Sequence, residues 1–380
     1  MSDRAPPRFG IERPPPSSIC IVRLGAIGDL IQTLPLASAL KARWPDAHLT
    51  WVAPPLPAEL LRGSPSVDEI LHFRPRRGLS WLQEIRELKQ RLRARNFGVV
   101  LVPELGLTAG LAGRMVPSSV RVGPARTRGR WFHGLLLSHR VSPAPLAHRT
   151  EEVLDFARAI GVEVQEPEWS LRLLAREREQ QVRFFRELGE PACGVIMGTG
   201  DGRKDWPPDR WSPVINALEE RWGMRVILLG GPGDQERLTA DGVISRSRGE
   251  PVDELGPDLR RLMWLVDGCR LVLGPDTGLL HLAAAMGTPV VGLFGYTNPR
   301  RFGPRGKAAC RVADGYSHQP GEELRVTEEM RKDGMTRVTP RMVLDEVEEI
   351  LDDDTPRPTR PEEDPDAPGG ATRVESRPDS

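Results

Sequence analysis

Three stretches of this 380-residue chain set chemically capable side chains among glycines. The first, Arg23-Leu24-Gly25-Ala26-Ile27-Gly28-Asp29, follows the apolar run Ile19–Val22. Asp29 stands where a helix should start. It either caps that helix or, held at a cleft edge, takes a proton from an acceptor hydroxyl. The second is Gly198-Thr199-Gly200-Asp201-Gly202-Arg203-Lys204-Asp205-Trp206. Lys204 lies where the backbone can approach a diphosphate closely. Its ammonium offsets charge on a departing phosphate, unless it is an ordinary exposed loop lysine. The third is Gly274-Pro275-Asp276-Thr277-Gly278, followed by the helix-like Leu279–Met286. Free N–H groups at that helix start suit a phosphate, with Thr277 and Gly278 as donors. Asp276 caps the helix or binds sugar hydroxyls. His281 shares the helix face of Thr277 and is either structural or a partner of the same anion. Glu236 follows the turn after Arg225–Leu229, the place where a carboxylate binds ribose hydroxyls.

These residues need strands that end, and helices that begin, beside them. In the first half, strands are expected at Ile19–Val22, at Leu49–Ala53, within Val67–Phe73 and at Val99–Pro103. Helices are expected at Leu30–Arg43, with Pro35 in its early part, and at Trp81–Arg95 and Thr150–Ile160. The second half repeats this grammar, with strands at Cys193–Met197, Arg225–Leu229, Leu271–Leu273 and Val290–Phe294. Gly274-Pro275 should end the third of these. Its helices are Arg176–Leu188, Asp209–Trp222 capped by Asp209, one starting at Gln235, Asp258–Asp267, and Thr339–Leu351 capped by Thr339. Alternating β and α implies parallel sheets covered on both faces, in two α/β domains facing across a cleft. The expected division is a disordered extension at 1–17, an acceptor-binding domain at 18–165, a donor-binding domain at 166–351 and a disordered tail at 352–380.

Composition narrows the function. Formal net charge is zero, with 39% hydrophobic and 28% charged residues, as in a water-soluble protein and against wholesale nucleic-acid binding. Residues 105–150 are locally basic: Arg114, Arg121, Arg126, Arg128, Arg130, Arg140 and Arg149, with His133, His139 and His148, and no Asp or Glu. Such a stretch is a solvated face, or a surface for an anionic acceptor or for anionic membrane headgroups. Aromatic interleaving is thin, Trp131 and Phe132 alone, and no nucleic-acid-binding signature accompanies it. Cys20, Cys193, Cys269 and Cys310 are far apart, with no CxxC, which reads as reduced thiols without a zinc site. The N-terminus has no apolar signal core and no run is long enough to span a bilayer, so a cytoplasmic protein is expected. GAIGDL is not GxGxxG and GDGRKDW is not GxxxxGK[ST], which counts against a redox dinucleotide fold and a P-loop NTPase.

Taken together, the chain resembles the heptosyltransferases of glycosyltransferase family 9. IVRLGAIGDLIQTLPLASALKARWPDAHLTWV looks like the family's opening. GPDTGLLHLAAAMGTPVVGLFG has its diagnostic form DTGxxHxAxAxxxP, and GTGDGRKDWPPDRW is similar to its Lys-x-Trp-Pro donor loop. GMTRVTPRMVLDEV resembles its C-terminal end, so the likeness covers residues 18–350. The resemblance implies a GT-B fold of two Rossmann-like domains, acceptor bound by the first and nucleotide-sugar by the second. It implies metal-independent, inverting transfer of heptose from ADP-heptose to the inner core of lipopolysaccharide, with no cofactor. Asp29 would be the general base. Lys204, Thr277 and Gly278 would contact the diphosphate, with His281 beside it. Asp276 would contact the sugar, Glu236 the ribose, and Thr199 the phosphates or nucleoside. Family members working on another nucleotide-sugar or acceptor, and a donor-binding protein without turnover, are the alternatives. One departure stands out: after the strand at Val99 the family's Asp-x-Gln is replaced by Val102-Pro103-Glu104-Leu105-Gly106.

Overall fold

The computed structural model describes residues 15–74, 80–125, 136–189, 191–319, 321–352 and 372–374. Its contacts divide the chain into two units, Met1–Pro145 with Arg149–Arg172 and Pro368–Ser380, and Leu146–His148 with Leu173–Ala367. In the first unit, strands β1 (Ser18–Val22), β2 (His48–Ala53), β3 (Glu69–His72), β4 (Val99–Leu101), β5 (Arg121–Gly123) and β6 (His139–Arg140) form one parallel sheet. Its order is β3-β2-β1-β4-β5-β6. The second unit holds β7 (Ala192–Ile196), β8 (Arg225–Leu229), β9 (Val252–Asp253), β10 (Leu271–Pro275), β11 (Val290–Phe294) and β12 (Cys310–Asp314), ordered β12-β11-β10-β7-β8-β9 and again all parallel. Numbered from its own first strand, the second sheet has the order of the first. Each is therefore a doubly wound sheet whose chain reverses direction between its first and fourth strands.

The apolar runs became central strands because a parallel strand covered by helices on both sides must be buried on both faces. Residues 19–22, 193–196 and 271–275 are buried throughout. Helix Ile27–Arg43 buries Leu30, Ile31, Leu34, Ala37 and Leu40 and packs beside helix Arg149–Ala159. Pro35 lies inside that helix and has no N–H for the carbonyl of Ile31, four residues back. The Trp169 indole fills the vacancy, donating to Ile31 O at 3.1 Å. Ser170 Oγ meets Ser38 Oγ on the same helix at 3.0 Å. These two contacts explain why the first unit runs to Arg172, beyond the boundary expected after residue 165.

Several elements depart from the sequence reading. β10 does not stop at Leu273, because Gly274 and Pro275 pair with Gly292 and Leu293 of β11. Gly274 is there for space: a Cβ would lie 2.7 Å from Ile196 Cδ1. Pro275 occupies the last strand position, where a missing donor costs little. Asp209 sits in the first turn of helix Pro208–Trp222, whose cap is Pro207. Thr339 does accept from Met342 N at 3.3 Å, as a cap should. The short or polar strands β5, β6, β9 and β12 carry no legible alternation. Within the expected C-terminal tail, Arg373–Val374 pairs in parallel with Glu69–Ile70 of β3. Expected disorder at 1–17 and 352–380 otherwise falls outside the described residues, apart from the stretch leading into β1 and Asp352, which ends helix Pro340–Asp352.

Candidate active site

In the first unit the chain leaves β1 at Arg23 and enters helix Ile27–Arg43. Ala26 is the N-cap, and Asp29 is the third helical residue rather than the cap. Its Oδ2 accepts from Ala26 N at 3.3 Å. Its Oδ1 accepts from Arg23 Nη2 at 2.5 Å, with Arg149 Nη2 at 3.9 Å. The Asp29 side chain is 37% exposed, while that of Arg23 is 3% exposed. Gly25 is required by close approach, since a Cβ there would lie 2.4 Å from Asp29 Oδ2. The departure after β4 also has a structural role. Pro103 O accepts from Arg23 Nη1 at 2.5 Å, and Glu104 Oε2 accepts from Leu24 N at 2.7 Å.

In the second unit the loop after β7 folds back on itself. Asp205 Oδ1 accepts from both Thr199 N at 2.8 Å and Thr199 Oγ1 at 2.9 Å. Trp206 anchors the loop's far side, 1% exposed and donating to Val338 O at 3.1 Å. Between these fixed points Lys204 Nζ reaches Asp276, at 2.8 Å to Oδ2 and 3.3 Å to its carbonyl. Asp276 ends the chain's passage out of β10. It is not the helix cap, which is Thr277, and its carboxylate is 8% exposed. Thr297 Oγ1 donates to Oδ2 at 2.7 Å, and His281 Nε2 lies 3.3 Å from Oδ1. Burial alone would raise the Asp276 carboxyl, but the His281 hydrogen bond and the charges of His281 and Lys204 hold it well below the usual carboxylate range.

The structure thus gathers Lys204, Asp276 and His281 into one hydrogen-bonded group, with Thr277 and Gly278 beside it at the start of helix Gly278–Ala285. The first-turn N–H groups of that helix have no intrahelical partner. Thr199 shares the Lys204 loop, but both its donors are taken by groups of the loop itself. Glu236 is the third residue of helix Asp234–Ile244 and accepts from Gly231 N at 3.0 Å and Gly233 N at 3.3 Å. It lies against Gly198 at the base of the Lys204 loop, where a Cβ would be 2.8 Å from its Cγ. Asp29 belongs to the other unit.

The residues missed in the sequence are Arg23, Asp205 and Thr297. Arg23 did carry a signal, a charge immediately after a buried strand. Thr297 had none, because only folding brings the exit of β11 to Asp276. The basic stretch 105–150 is partly spent internally. His148 is buried, with Nε2 2.9 Å from Gly303 O, and Arg149 pairs with Glu152 at 3.3 Å. Arg126, Arg128, Arg130, Trp131, Phe132 and His133 lie outside the described residues. All four cysteines are free, and burial pushes the Cys310 thiol up to about 12. Among the described residues no cluster of His, Cys, Asp and Glu could hold a metal ion, and no helix is long and apolar enough to cross a membrane.

In both units the polar groups sit at the carboxyl ends of the first and fourth strands, where doubly wound sheets bind ligands. The profile of glycosyltransferase family 9 (heptosyltransferase) matches residues 85–332. The chain belongs to glycosyltransferase family 9. Lys204, Glu236, Asp276, Thr277, Gly278 and His281 of this family 9 enzyme lie inside the matched residues, and Asp29 precedes them. It is 26% identical to a lipopolysaccharide core heptosyltransferase of Haemophilus influenzae, over 76% of this chain and 82% of that protein. A family 9 glycosyl transferase of Veillonella parvula superposes with a TM-score of 0.76 at 18% identity, covering 88% of this chain and 97% of that one. The E. coli heptosyltransferase WaaC with ADP gives 0.68 at 22% identity, covering 87% and 99%. The family 9 chain has the GT-B fold of two Rossmann-like units expected from its motifs.

Proposed function

We propose that this family 9 enzyme transfers heptose from ADP-heptose to the inner core of lipopolysaccharide, with inversion at the anomeric carbon. The observation that carries this reading is the half-buried Lys204 held against the buried Asp276 and His281 at the start of helix Gly278–Ala285. An ammonium has three N–H donors. Both recorded hydrogen bonds of Lys204 Nζ go to Asp276, which leaves a donor for a phosphate oxygen. The helix N–H groups near Thr277 and Gly278 supply the rest of the positive field as charge builds on the leaving ADP. Asp276 then has two tasks: it orients Lys204 and presents a carboxylate to the sugar hydroxyls. Glu236 faces the ribose. Thr199 acts through the shape of the loop. Asp29 takes the proton of the acceptor hydroxyl as it attacks the anomeric carbon. The remaining arginines of 105–150 meet an anionic, lipid-linked acceptor at the inner face of the cytoplasmic membrane.

Mass analysis of the lipid core from a strain lacking the gene, with a panel of ADP-, GDP- and UDP-sugars in vitro, tests the substrate. An intact core, or turnover with a different donor, rejects this assignment. Asp29→Asn should lower kcat by about 100-fold or more with donor affinity unchanged. Equal loss of both would reject the base. Lys204→Ala should weaken ADP binding about 10-fold or more, measured by calorimetry.

One observation favours a second reading, a different acceptor. Among the described residues, the pocket at the exits of β4, β5 and β6 is lined by Glu104, Glu152 and Asp155 against a single arginine, Arg149, on apolar walls that include Pro103, Val153 and Phe156. Carboxylates over an apolar floor suit the hydroxyls of an uncharged sugar better than an anion. Competing neutral glycosides against heptose-deficient lipopolysaccharide as acceptors separates the two.

A further inference from the structure

We propose that Arg23 is a positioning residue for Asp29, locking one carboxylate oxygen so that the other meets the acceptor hydroxyl. This rests on the assignment of Asp29 as the base. The Arg23 guanidinium is a two-sided clamp. Nη1 donates to Pro103 O, at the exit of β4, and Nη2 donates to Asp29 Oδ1, both at 2.5 Å. The next residue repeats the crossing, because Leu24 N donates to Glu104 Oε2 at 2.7 Å. The ends of the first and fourth strands are thereby stapled together at the point where the sheet reverses. The unusual Pro103-Glu104 pair is the far jaw of the clamp. With Oδ1 held by Arg23, and by Arg149 at longer range, Oδ2 keeps one contact, the 3.3 Å bond from Ala26 N. Gly25 leaves room beside that oxygen.

Stability does not account for this arrangement. Arg23 is 2% exposed and its Nε is buried without a hydrogen-bond partner. Burying a guanidinium with an unmet donor is costly, and a buried ion pair often adds no net stability. What the fork does supply is direction: it is planar, and its donors lie in fixed positions. Among the described residues, the charged groups facing Asp29 are Arg23 from the β1 exit and Arg149 from helix Arg149–Ala159, with Glu104 one residue beyond Pro103 at the exit of β4. Removing Arg23 frees the carboxylate to rotate.

The test uses full-length enzyme, ADP-heptose and heptose-deficient lipopolysaccharide, with ADP release as readout, for Arg23→Met, Arg23→Lys, Asp29→Asn and the double variant R23M/D29N. Arg23→Met should lower kcat about 10- to 100-fold with donor KM within about twofold of wild type. Arg23→Lys keeps a charge without the fork. It should regain part of kcat while donor KM stays within about twofold of wild type. The double variant should be no slower than Asp29→Asn alone, since Arg23 acts through that carboxylate. Losses that multiply in the double variant overturn the proposal. So does a kcat loss with no recovery in Arg23→Lys, whose folding is checked by its melting temperature. Full turnover in Asp29→Asn would instead overturn the base assignment, a result distinct from any of these.

Discussion

At the scale of single residues, the candidate site is a set of charges whose burial is tolerated because each has a named partner. Asp276 shows it best. A carboxylate this enclosed stays ionised only because an ammonium, an imidazole and a hydroxyl converge on its two oxygens. Asp205 is the contrasting case. Burial raises it, its Oδ2 has no hydrogen-bond partner, and the carboxylates of Glu236 and Asp201 add to the rise against the two bonds from Thr199. A carboxyl held higher in the folded state than in the unfolded chain contributes stability below the unfolded value of about 3.9 and loses it as pH rises through the folded value. Asp205→Asn keeps the acceptor for Thr199 and removes the charge. Its melting temperature should therefore exceed wild type by about 1–3 °C near pH 7.5 and converge with it near pH 4. A lower melting temperature at pH 7.5 would show that the negative charge itself holds the loop.

At the scale of elements, helix Ile27–Arg43 has to deliver Asp29 at its first turn while carrying Pro35 nearly two turns further on. The helix survives because Trp169 donates to the carbonyl that Pro35 leaves without a partner. Trp169→Phe should cost about 1–2 kcal/mol in urea denaturation, the range for an orphaned buried carbonyl. In a Pro35→Ala background the helix regains its own N–H, so the same change at Trp169 should cost clearly less. An equal cost in both backgrounds would mean that Trp169 acts through packing alone. Both loops at the site follow one plan: a strand ends, glycines let side chains approach, and a helix begins. In each, the residue that steadies the functional group lies at a strand exit far away in sequence, Pro103 for Arg23 and Thr297 for Asp276.

At the scale of the molecule, one strand order is used twice, and in each unit the chemistry sits where that order reverses. The first sheet is also extended at its β3 edge by Arg373–Val374, with Gly63 N donating to Thr372 Oγ1 at 3.2 Å. Two strand residues bury little. Deleting residues 353–380 should lower the melting temperature by less than about 3 °C and leave kcat unchanged, because β3 carries no residue of the site. A large fall in either would give that segment a role in holding the first unit.

The sequence by itself determined the two doubly wound units, the positions of their central strands and the identity of Lys204, Asp276, His281 and Asp29 as groups worth placing. Those features are local: buried strands read as apolar runs, and glycines beside polar residues mark strand exits. It also left each acid divided between capping and chemistry, a choice that depends on what surrounds the carboxylate. Tertiary structure decided that. It moved Asp29 and Asp276 off the caps, gave Glu236 and Thr199 partners within their own loops, buried His148, and supplied Arg23, Asp205 and Thr297 as the partners. The reason is physical. A carboxylate's role is set by the donors within about 3 Å of it, and in a parallel sheet those donors come from neighbouring strands separated in sequence by whole βα units.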